Sequence, residues 1–213
     1  MKFAPEAWPF VLPFAALSLA LLFIDRPIAA AVAALLALAI LLFFRDPKRG
    51  FEGPESAILA PADGRVLAVD TIQDEEIGPG SYQRVITFLS VFDVHLQRVP
   101  TDGEVLTSQL TDGRYKAAFD LEAGEVNARH LTVIQRSNGE RVGIRQVVGL
   151  VARRIVNDLE PGQQVTRGQR LGLIKFGSRV DLLVPEGYTI EVEPGQRLRN
   201  GESVVARAPD PEP

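Results

Sequence analysis

Two uncharged apolar runs open the chain. The first covers residues 8–24 and the second residues 28–44, each 17 residues long, and only Asp25, Arg26 and Pro27 separate them. At 1.5 Å per residue, a helix of this length spans about 26 Å, slightly less than the ~30 Å hydrocarbon core of a bilayer. Because Ala, Leu and Phe occupy all sides of both predicted helices, the pattern favours a membrane helical hairpin over a buried core hairpin.

A secretory signal fits these runs poorly. A second apolar run follows directly, and no small-residue cleavage motif comes after the first. Because both runs are short, the pattern also allows a shallow hairpin that enters one leaflet and returns.

The flanking cations predict the topology of the hairpin. Lys2 precedes it, and Arg45, Lys48 and Arg49 follow it. The positive-inside rule then places both ends in the cytoplasm. We therefore expect the inner (cytoplasmic) membrane, with the rest of the chain on the cytoplasmic side. The three following cations are expected near anionic head groups, each worth about 1 kcal/mol of attraction.

From residue 50 onward the pattern changes to short apolar strands separated by Gly, Pro and Asp. The predicted strands are 65–69, 83–90, 104–110, 128–135, 141–146, 149–155, 169–174 and 202–206. Strands this short, with turns between them, indicate a mainly β fold. We therefore expect a membrane-associated helical hairpin over residues 1–49 and a β-rich domain over residues 50–213.

A nine-residue segment occurs twice near the end of the chain. Glu-Pro-Gly-Gln at 160–163 and again at 193–196 leads in each case to a Gly and an apolar strand. One interpretation is a turn-strand unit used twice in a small barrel-sandwich element, as in lipoyl and biotinyl carrier modules. Two unrelated hairpin loops are an equally good interpretation of the same pattern.

Composition narrows the possible chemistry. The net charge of −4 gives no indication of a nucleic-acid partner. Absence of cysteine excludes disulfides and thiol catalysis, and two histidines make a metal site, such as that of a metallopeptidase, hard to build. An enzyme with this composition needs another electrophile.

Four segments carry candidate chemistry. They are Pro61-Ala62-Asp63-Gly64, the apolar segment around His95, the segment ending in His130, and Phe176-Gly177-Ser178. Taken singly, the first is an ordinary turn, His95 is as well explained by a buried structural role, and His130 by simple exposure. The last segment offers an electrophile made from the backbone. Gly177 has no side chain, so the Ser178 hydroxyl can approach its carbonyl closely.

The order and spacing of these segments resemble one family. Phe43-Phe44-Arg45-Asp46-Pro47, the Pro-Ala-Asp-Gly turn, the box Leu89-Ser90-x-Phe92-Asp93-Val94-His95, and Phe176-Gly177-Ser178-Arg179-Val180-Asp181 are together similar to the short, prokaryotic branch of phosphatidylserine decarboxylases. The resemblance extends from about Phe43 to Ala206. It implies a membrane lyase that converts phosphatidylserine to phosphatidylethanolamine and releases CO2.

The resemblance also implies roles for individual residues. Ser178 would attack the Gly177 carbonyl and become a covalent pyruvoyl group, the only cofactor expected. The two products, residues 1–177 and 178–213, would stay together as a heterodimer, with a higher oligomer left open. His95 would protonate the substrate carbon, and Asp63 would lie near the cleavage site and orient or activate a catalytic partner.

Two departures from the longer bacterial members leave the base for self-cleavage open. Those members have Leu-Gly-Ser-Thr at the cleavage site, where this chain has Phe176-Gly177-Ser178-Arg179. Arg98 replaces a second histidine, and arginine stays protonated. Either His95 serves both steps or His130 assists. Arg98 is instead expected to bind the substrate carboxylate or phosphate.

A non-enzymatic alternative is a membrane-anchored, lipoyl-like adaptor module. It accounts for the hairpin and the Pro-Gly-Gln turns. A carrier domain also requires a lysine at a hairpin tip, and Lys175 is the candidate near the repeated segments.

Overall fold

The computed structural model describes residues 2–150, 154–175 and 178–209, which fall into two units, Met1–Lys48 and Arg49–Pro213. The first unit contains β1 (Lys2–Phe3), a 3-10 turn (Pro5–Ala7), α1 (Trp8–Phe23), α2 (Pro27–Phe43) and β2 (Arg45–Asp46). Strands β1 and β2 pair antiparallel.

Both helices form where the apolar runs predict them. Pro5–Phe23 is a continuous helical stretch of 19 residues with a mean hydropathy of 1.7, long and apolar enough to cross a membrane. The second helix has 17 residues and is shorter than a typical span. The two helices are joined by a hydrogen bond from the buried Ser18 hydroxyl to the Ala30 carbonyl, at 2.8 Å.

The second unit is almost entirely β. Its strands are β3 (Ala57–Leu59), β4 (Gly64–Gln73), β5 (Ser81–Leu89), β6 (Leu96–Arg98), β7 (Gly103–Thr111), β8 (Arg129–Gln135), β9 (Arg141–Val148), β10 (Ile155–Asn157), β11 (Gln164–Val165), β12 (Arg170–Ile174), β13 (Ser178–Pro185), β14 (Thr189–Ile190), β15 (Arg197–Leu198) and β16 (Val204–Arg207). Among the described residues of this unit, the only helix is the single turn α3 (Ala123–Val126). The mainly β prediction is therefore confirmed.

One predicted strand is wrong. Residues 149, 150 and 154 are not in strand conformation, and residues 151–153 lie outside the described part. The apolar pattern of this segment does not reflect one strand because the chain changes sheets here. Strand β9 ends at Val148, and Ile155 begins a strand that pairs with β12 in another sheet.

The strands form an eight-stranded sheet in the order β11-β7-β8-β9-β13-β5-β4-β15 and two three-stranded sheets, β10-β12-β6 and β14-β16-β3. The pairing is internally symmetric. The half β6–β12 repeats every pairing of the half made by β3–β5 and β13–β16, and the two halves join through β9 and β13. The fold thus consists of two equivalent halves of seven strands each. The half β6–β12 is continuous in sequence and is inserted between β5 and β13 of the other half.

The symmetry accounts for the repeated segment. Gly162 and Gly195 both have positive φ, and the N–H of each donates to a strand carbonyl, of Val105 and Val66 respectively. Strands β11 and β15, which follow these turns, occupy the two opposite edges of the large sheet. The two copies are equivalent positions in the two halves, not unrelated loops.

Strand β13 occupies the middle of the large sheet. It pairs along its length with β5 on one side and β9 on the other. Seven of its eight residues are buried. One face of the sheet carries the main core, which includes Val180 and Leu182, and the other carries a smaller cluster with Leu183. Residue 178 therefore begins a strand that is paired on both sides and buried along nearly its whole length.

Candidate active site

One end of the large sheet collects the predicted site residues. A single row of paired residues crosses the sheet there: Thr111, Arg129, Val147, Arg179, Phe88 and Arg65. Ser178 lies one residue beyond this row, and the loops with Asp63 and His95 leave the sheet at the same end. The structure thus brings together three segments that are far apart in sequence.

Ser178 is the first residue of β13. It pairs with Leu89 and Val148, and its side chain is fully buried. Among the described residues, its Oγ forms no hydrogen bond. A buried hydroxyl without a partner costs about 1–3 kcal/mol, so such a group requires an explanation. The predicted cleavage partner Gly177 lies outside the described residues.

His95 is buried directly before β6, with 1% of its surface exposed. Its Nδ1 lies 3.0 Å from the Asp93 carbonyl oxygen. A carbonyl oxygen only accepts, so this contact assigns the proton of neutral His95 to Nδ1. Nε2 is then the ring atom that takes up or releases a proton.

Strand pairing positions His95 beside the chain that leads to Ser178. Leu96 pairs with Leu173 in β12, which ends at Ile174, four residues before Ser178. Strand β5, which leads into the His95 loop, ends at Leu89, the residue paired with Ser178. Both ends of the His95 segment are therefore fixed next to the strands that flank the predicted cleavage site.

A chain of buried and half-buried side-chain amides supports the His95 backbone. Gln97 Nε2 donates to the His95 carbonyl at 2.7 Å, and Gln146 Nε2 donates to Gln97 Oε1 at 3.0 Å. Asn157 Nδ2 in turn donates to Gln146 Oε1 at 2.9 Å. Sequence reasoning missed these three residues, because their alignment depends on three different strands.

His130 lies too far away to act directly on Ser178. It pairs with Gln146, which pairs with Val180, so it is two strands and two residues removed from Ser178. With about 4.8 Å between neighbouring strands and about 3.3 Å per residue along a strand, the Cα atoms of His130 and Ser178 are about 12 Å apart. Burial lowers the pKa of His130, whose Nδ1 lies 3.1 Å from Asn157 Nδ2. The alternative in which His130 assists self-cleavage is therefore not favoured.

Asp63 forms a buried ion pair that the sequence did not predict. Both carboxylate oxygens accept from the Arg49 guanidinium, through a contact to Oδ1 and a 2.8 Å hydrogen bond to Oδ2. The Asn200 N–H also donates to Oδ1, at 2.8 Å, while its side-chain amide donates to the Leu96 carbonyl at 2.7 Å. Asp63 is thereby tied to the residue that follows His95.

This pair corrects the expectation for Arg49. The flanking cations predicted a position near lipid head groups, but the Arg49 side chain is only 8% exposed. A guanidinium matches a carboxylate bidentately and is more weakly hydrated than an ammonium, which favours arginine in a buried pair. Arg49 and Asn200 are thus site residues that sequence reasoning missed.

Asp102 is the counterpart of Asp63 in the other half. The turn Pro100-Thr101-Asp102-Gly103 matches Pro61-Ala62-Asp63-Gly64, and Asp102 Oδ1 accepts from the Arg167 N–H at 2.8 Å. In each turn a Cβ on the glycine would come within 2.2 Å of a strand carbonyl oxygen, so glycine is required there. Both aspartates therefore hold a turn in place, and the ion pair with Arg49 distinguishes Asp63 from Asp102.

Arg98 faces away from the amide chain, because neighbouring strand residues point to opposite faces. Its Nη1 donates to the Gly168 carbonyl at 2.9 Å, and a Cβ on Gly201 would meet its Cδ. Arg98 is half-buried and contacts Gly168 and Gly201, the glycines that end the two repeated nine-residue segments. Substrate binding by Arg98 stays a prediction.

Arg179, the residue that follows Ser178, is fully buried. It pairs with Asp181 at 2.6 Å and donates to the Leu121 carbonyl at 2.9 Å. Gly124 lies against its guanidinium, where a Cβ would come within 2.6 Å of Nη2. Arg179 therefore fastens the loop 112–128 to the strand that begins with Ser178.

The matched aspartates give a controlled test of the site. We expect Asp63→Asn to slow self-cleavage at least tenfold, because it removes the charge that holds Arg49 beside the site. Asp102→Asn alters the equivalent turn without touching the site and should leave the cleavage rate unchanged. The fraction of cut chain over time, followed on denaturing gels at a temperature where both variants are folded, checks this. Equal rates for the two variants would contradict a site role for Asp63.

Comparison with known proteins agrees with this geometry. The family model described as phosphatidylserine decarboxylase matches residues 36–206. A phosphatidylserine decarboxylase proenzyme from Symbiobacterium thermophilum is 41% identical over 97% of this chain and 95% of its own length. One from Nitrosomonas europaea is 39% identical over 95% of this chain and 94% of its own length. With the buried Ser178 and His95 at one end of the sheet, these matches show that the chain belongs to the phosphatidylserine decarboxylase family.

Proposed function

We propose that this chain removes the serine carboxyl group of phosphatidylserine, giving phosphatidylethanolamine and CO2. The observation that carries the proposal is the buried Ser178 hydroxyl, which has no hydrogen-bond partner among the described residues and lies at the sheet end with His95 and Asp63. The relatives are named proenzymes, which supports synthesis as a precursor that must be cut.

The proposed maturation is a self-cleavage before Ser178. Ser178 Oγ attacks the Gly177 carbonyl, so the peptide C–N bond is replaced by an ester. Elimination then removes the Cα proton of residue 178 and breaks its Cβ–O bond, which leaves a dehydroalanine and releases the upstream chain with a free carboxylate. Water removes the nitrogen as ammonia, and residue 178 becomes a pyruvoyl group. No external oxidant is needed, because the elimination itself supplies the ketone oxidation level.

The two products, residues 1–177 and 178–213, are expected to stay together. Strand β13 belongs to the shorter product and lies between β5 and β9 of the longer one, with eight residues paired on one side and six on the other. Hydrogen bonds and core contacts of β13 survive the cut, so a heterodimer is the expected mature form.

The described residues fit a pyruvoyl group at position 178. The serine Oγ has no hydrogen bond to lose among the described residues, and its site is enclosed by Leu89 and Val148. When formed, the group supplies a carbonyl next to an amide. It then acts as the electron sink for the electron pair that stays on the substrate when CO2 leaves.

His95 is proposed to hold the proton that replaces CO2. The Asp93 carbonyl keeps the Nδ1 proton in place, so Nε2 of the protonated ring is the donor. Arg98 remains the proposed partner of the substrate carboxylate or phosphate. Arg49 and Asp63 hold the adjacent turn, so their role is positioning.

The apolar helices α1 and α2 are proposed to form the membrane hairpin. A lipid with two acyl chains stays in the bilayer, so a tethered enzyme meets it at high local concentration. The cations around the helices favour the inner membrane with the β unit on the cytoplasmic side. The lipoyl-like character of the barrel-sandwich element stays a prediction. The adaptor alternative is not adopted, since Lys175 is half-buried at the end of β12 rather than exposed.

Decarboxylation is tested with phosphatidylserine labelled at the serine carboxyl. The purified, cut protein in detergent micelles should release the label as CO2 and leave phosphatidylethanolamine, identified by mass. Phosphatidylserine with an acetylated amine is the matched control and should not react. Cut protein that leaves the label in the lipid would overturn the proposed activity.

A further inference from the structure

The second unit exposes its large apolar side chains in one place. Among its described residues, every large apolar side chain with high exposure lies on the loops and strand ends around Ser178. These residues, called the apolar rim below, are Val91, Phe92, Leu110, Tyr115, Phe119, Leu121 and Leu150. Exposed apolar residues scattered singly are normal, but a contiguous set marks an interaction surface.

The internal symmetry shows that the fold does not require this rim. The register that equates Phe88 with Gln135 also equates Val91 and Phe92 with Asn138 and Gly139. Asn138 and Gly139 form a polar, exposed turn at the opposite end of the sheet. Equivalent turns are thus apolar at the end with Ser178 and polar at the other.

The rim side chains are held outward. Phe92 is 84% exposed and Phe119 is 64% exposed. The Phe119 ring packs edge-on against Phe88 at 6.3 Å, and Arg179 holds the carbonyls of Asp120 and Leu121. These anchors keep the loop from folding its apolar side chains into the core.

We propose that the apolar rim inserts into the membrane surface, so that a phospholipid enters the site without leaving the bilayer. The inference rests on the proposed lipid substrate. A second copy seated on the rim would close the end of the sheet through which that substrate must pass, which favours the bilayer as the occupant. Aromatic and leucine side chains on loops are typical of insertion at the interface.

Charges near the rim are mixed. Arg114 is exposed, but Asp112, Glu122 and Glu125 are exposed as well, and Lys116 pairs with Glu122. Apolar insertion, rather than attraction to anionic lipid, is therefore the expected driving force. Contact of the rim with vesicles of phosphatidylcholine should persist at high salt.

The natural absence of cysteine allows a direct test. Phe92→Cys and Leu121→Cys in the full chain, labelled with an environment-sensitive dye and reconstituted in phosphatidylcholine vesicles, should be quenched by spin-labelled lipid. Asn138→Cys, in the equivalent turn, is the matched control and should be quenched several-fold less. Equal quenching at all three positions would overturn the proposal. So would shielding of the dyes at 92 and 121 that grows with protein concentration without lipid quenching, the result expected for a second copy.

Activity supplies an independent arm. The double variant Phe92→Ser, Leu121→Ser should turn over phosphatidylserine in vesicles at least tenfold more slowly than the natural chain. Its rate with a water-soluble, short-chain phosphatidylserine should be unchanged. Equal losses with both substrates would indicate damage to the site and contradict the inference. If neither the natural chain nor the double variant decarboxylates either lipid, the proposed function fails. The quenching result then still decides whether the rim contacts the membrane.

Discussion

Ser178→Ala is expected to leave a single uncut chain without decarboxylase activity. Alanine has no nucleophile to attack the Gly177 carbonyl, so neither the cut nor the pyruvoyl group can form. The expected loss is complete rather than partial, because the pyruvoyl group is made from residue 178 itself and the chain contains no cysteine.

The same substitution should not destabilise the fold. The Ser178 hydroxyl is buried and makes no hydrogen bond with any described residue, so its removal relieves an unmet polar group. The melting temperature of Ser178→Ala should match or exceed that of uncut natural chain. Ser137→Ala, in the exposed turn at the opposite end of the sheet, is the control and should be cut normally. A cut Ser178→Ala chain would place the reactive residue elsewhere.

His95→Gln is expected to lower the decarboxylation rate by about 10²- to 10⁴-fold, the range typical for loss of a general acid. Glutamine is polar and similar in size, but its amide does not act as an acid or a base near neutral pH. If His95 also serves the cut, the variant will accumulate as uncut chain, and the amount of cut protein must be measured before rates are compared.

His130→Gln is the matched control for His95→Gln. The strand register puts the Cα atom of His130 about 12 Å from that of Ser178. The control should be cut and should retain activity within a few-fold. Full activity of His95→Gln, or equal losses in the two variants, would remove the proposed role of His95.

Local patterns predicted the parts of this molecule that depend on local chemistry. The apolar runs predicted both helices, and alternation with Gly and Pro turns predicted most strands. Ser178 and His95 were identified because ordered motifs surround them. The structure then placed them at one end of one sheet, which no spacing in the sequence shows.

The missed residues depend on long-range pairing. Arg49 was assigned to head groups by its position after the helices, yet its partner is Asp63, and Asn200 reaches the same carboxylate from the last repeat. A signal was available in the two Pro-x-Asp-Gly turns at 61–64 and 100–103, 39 residues apart. Together with the repeated Glu-Pro-Gly-Gln segments, they mark the two halves of the fold. Strand 149–155 was mispredicted because apolar pattern does not show where a chain changes sheets.

Intact mass of the purified protein under native and denaturing conditions tests the central claim most directly. The account predicts one species in native conditions that separates on denaturation into residues 1–177 and residues 178–213. The smaller fragment should have the mass of a pyruvoyl group in place of its first serine and should resist Edman degradation. An active preparation that consists of the full 213-residue chain with an ordinary serine at position 178 would contradict the account.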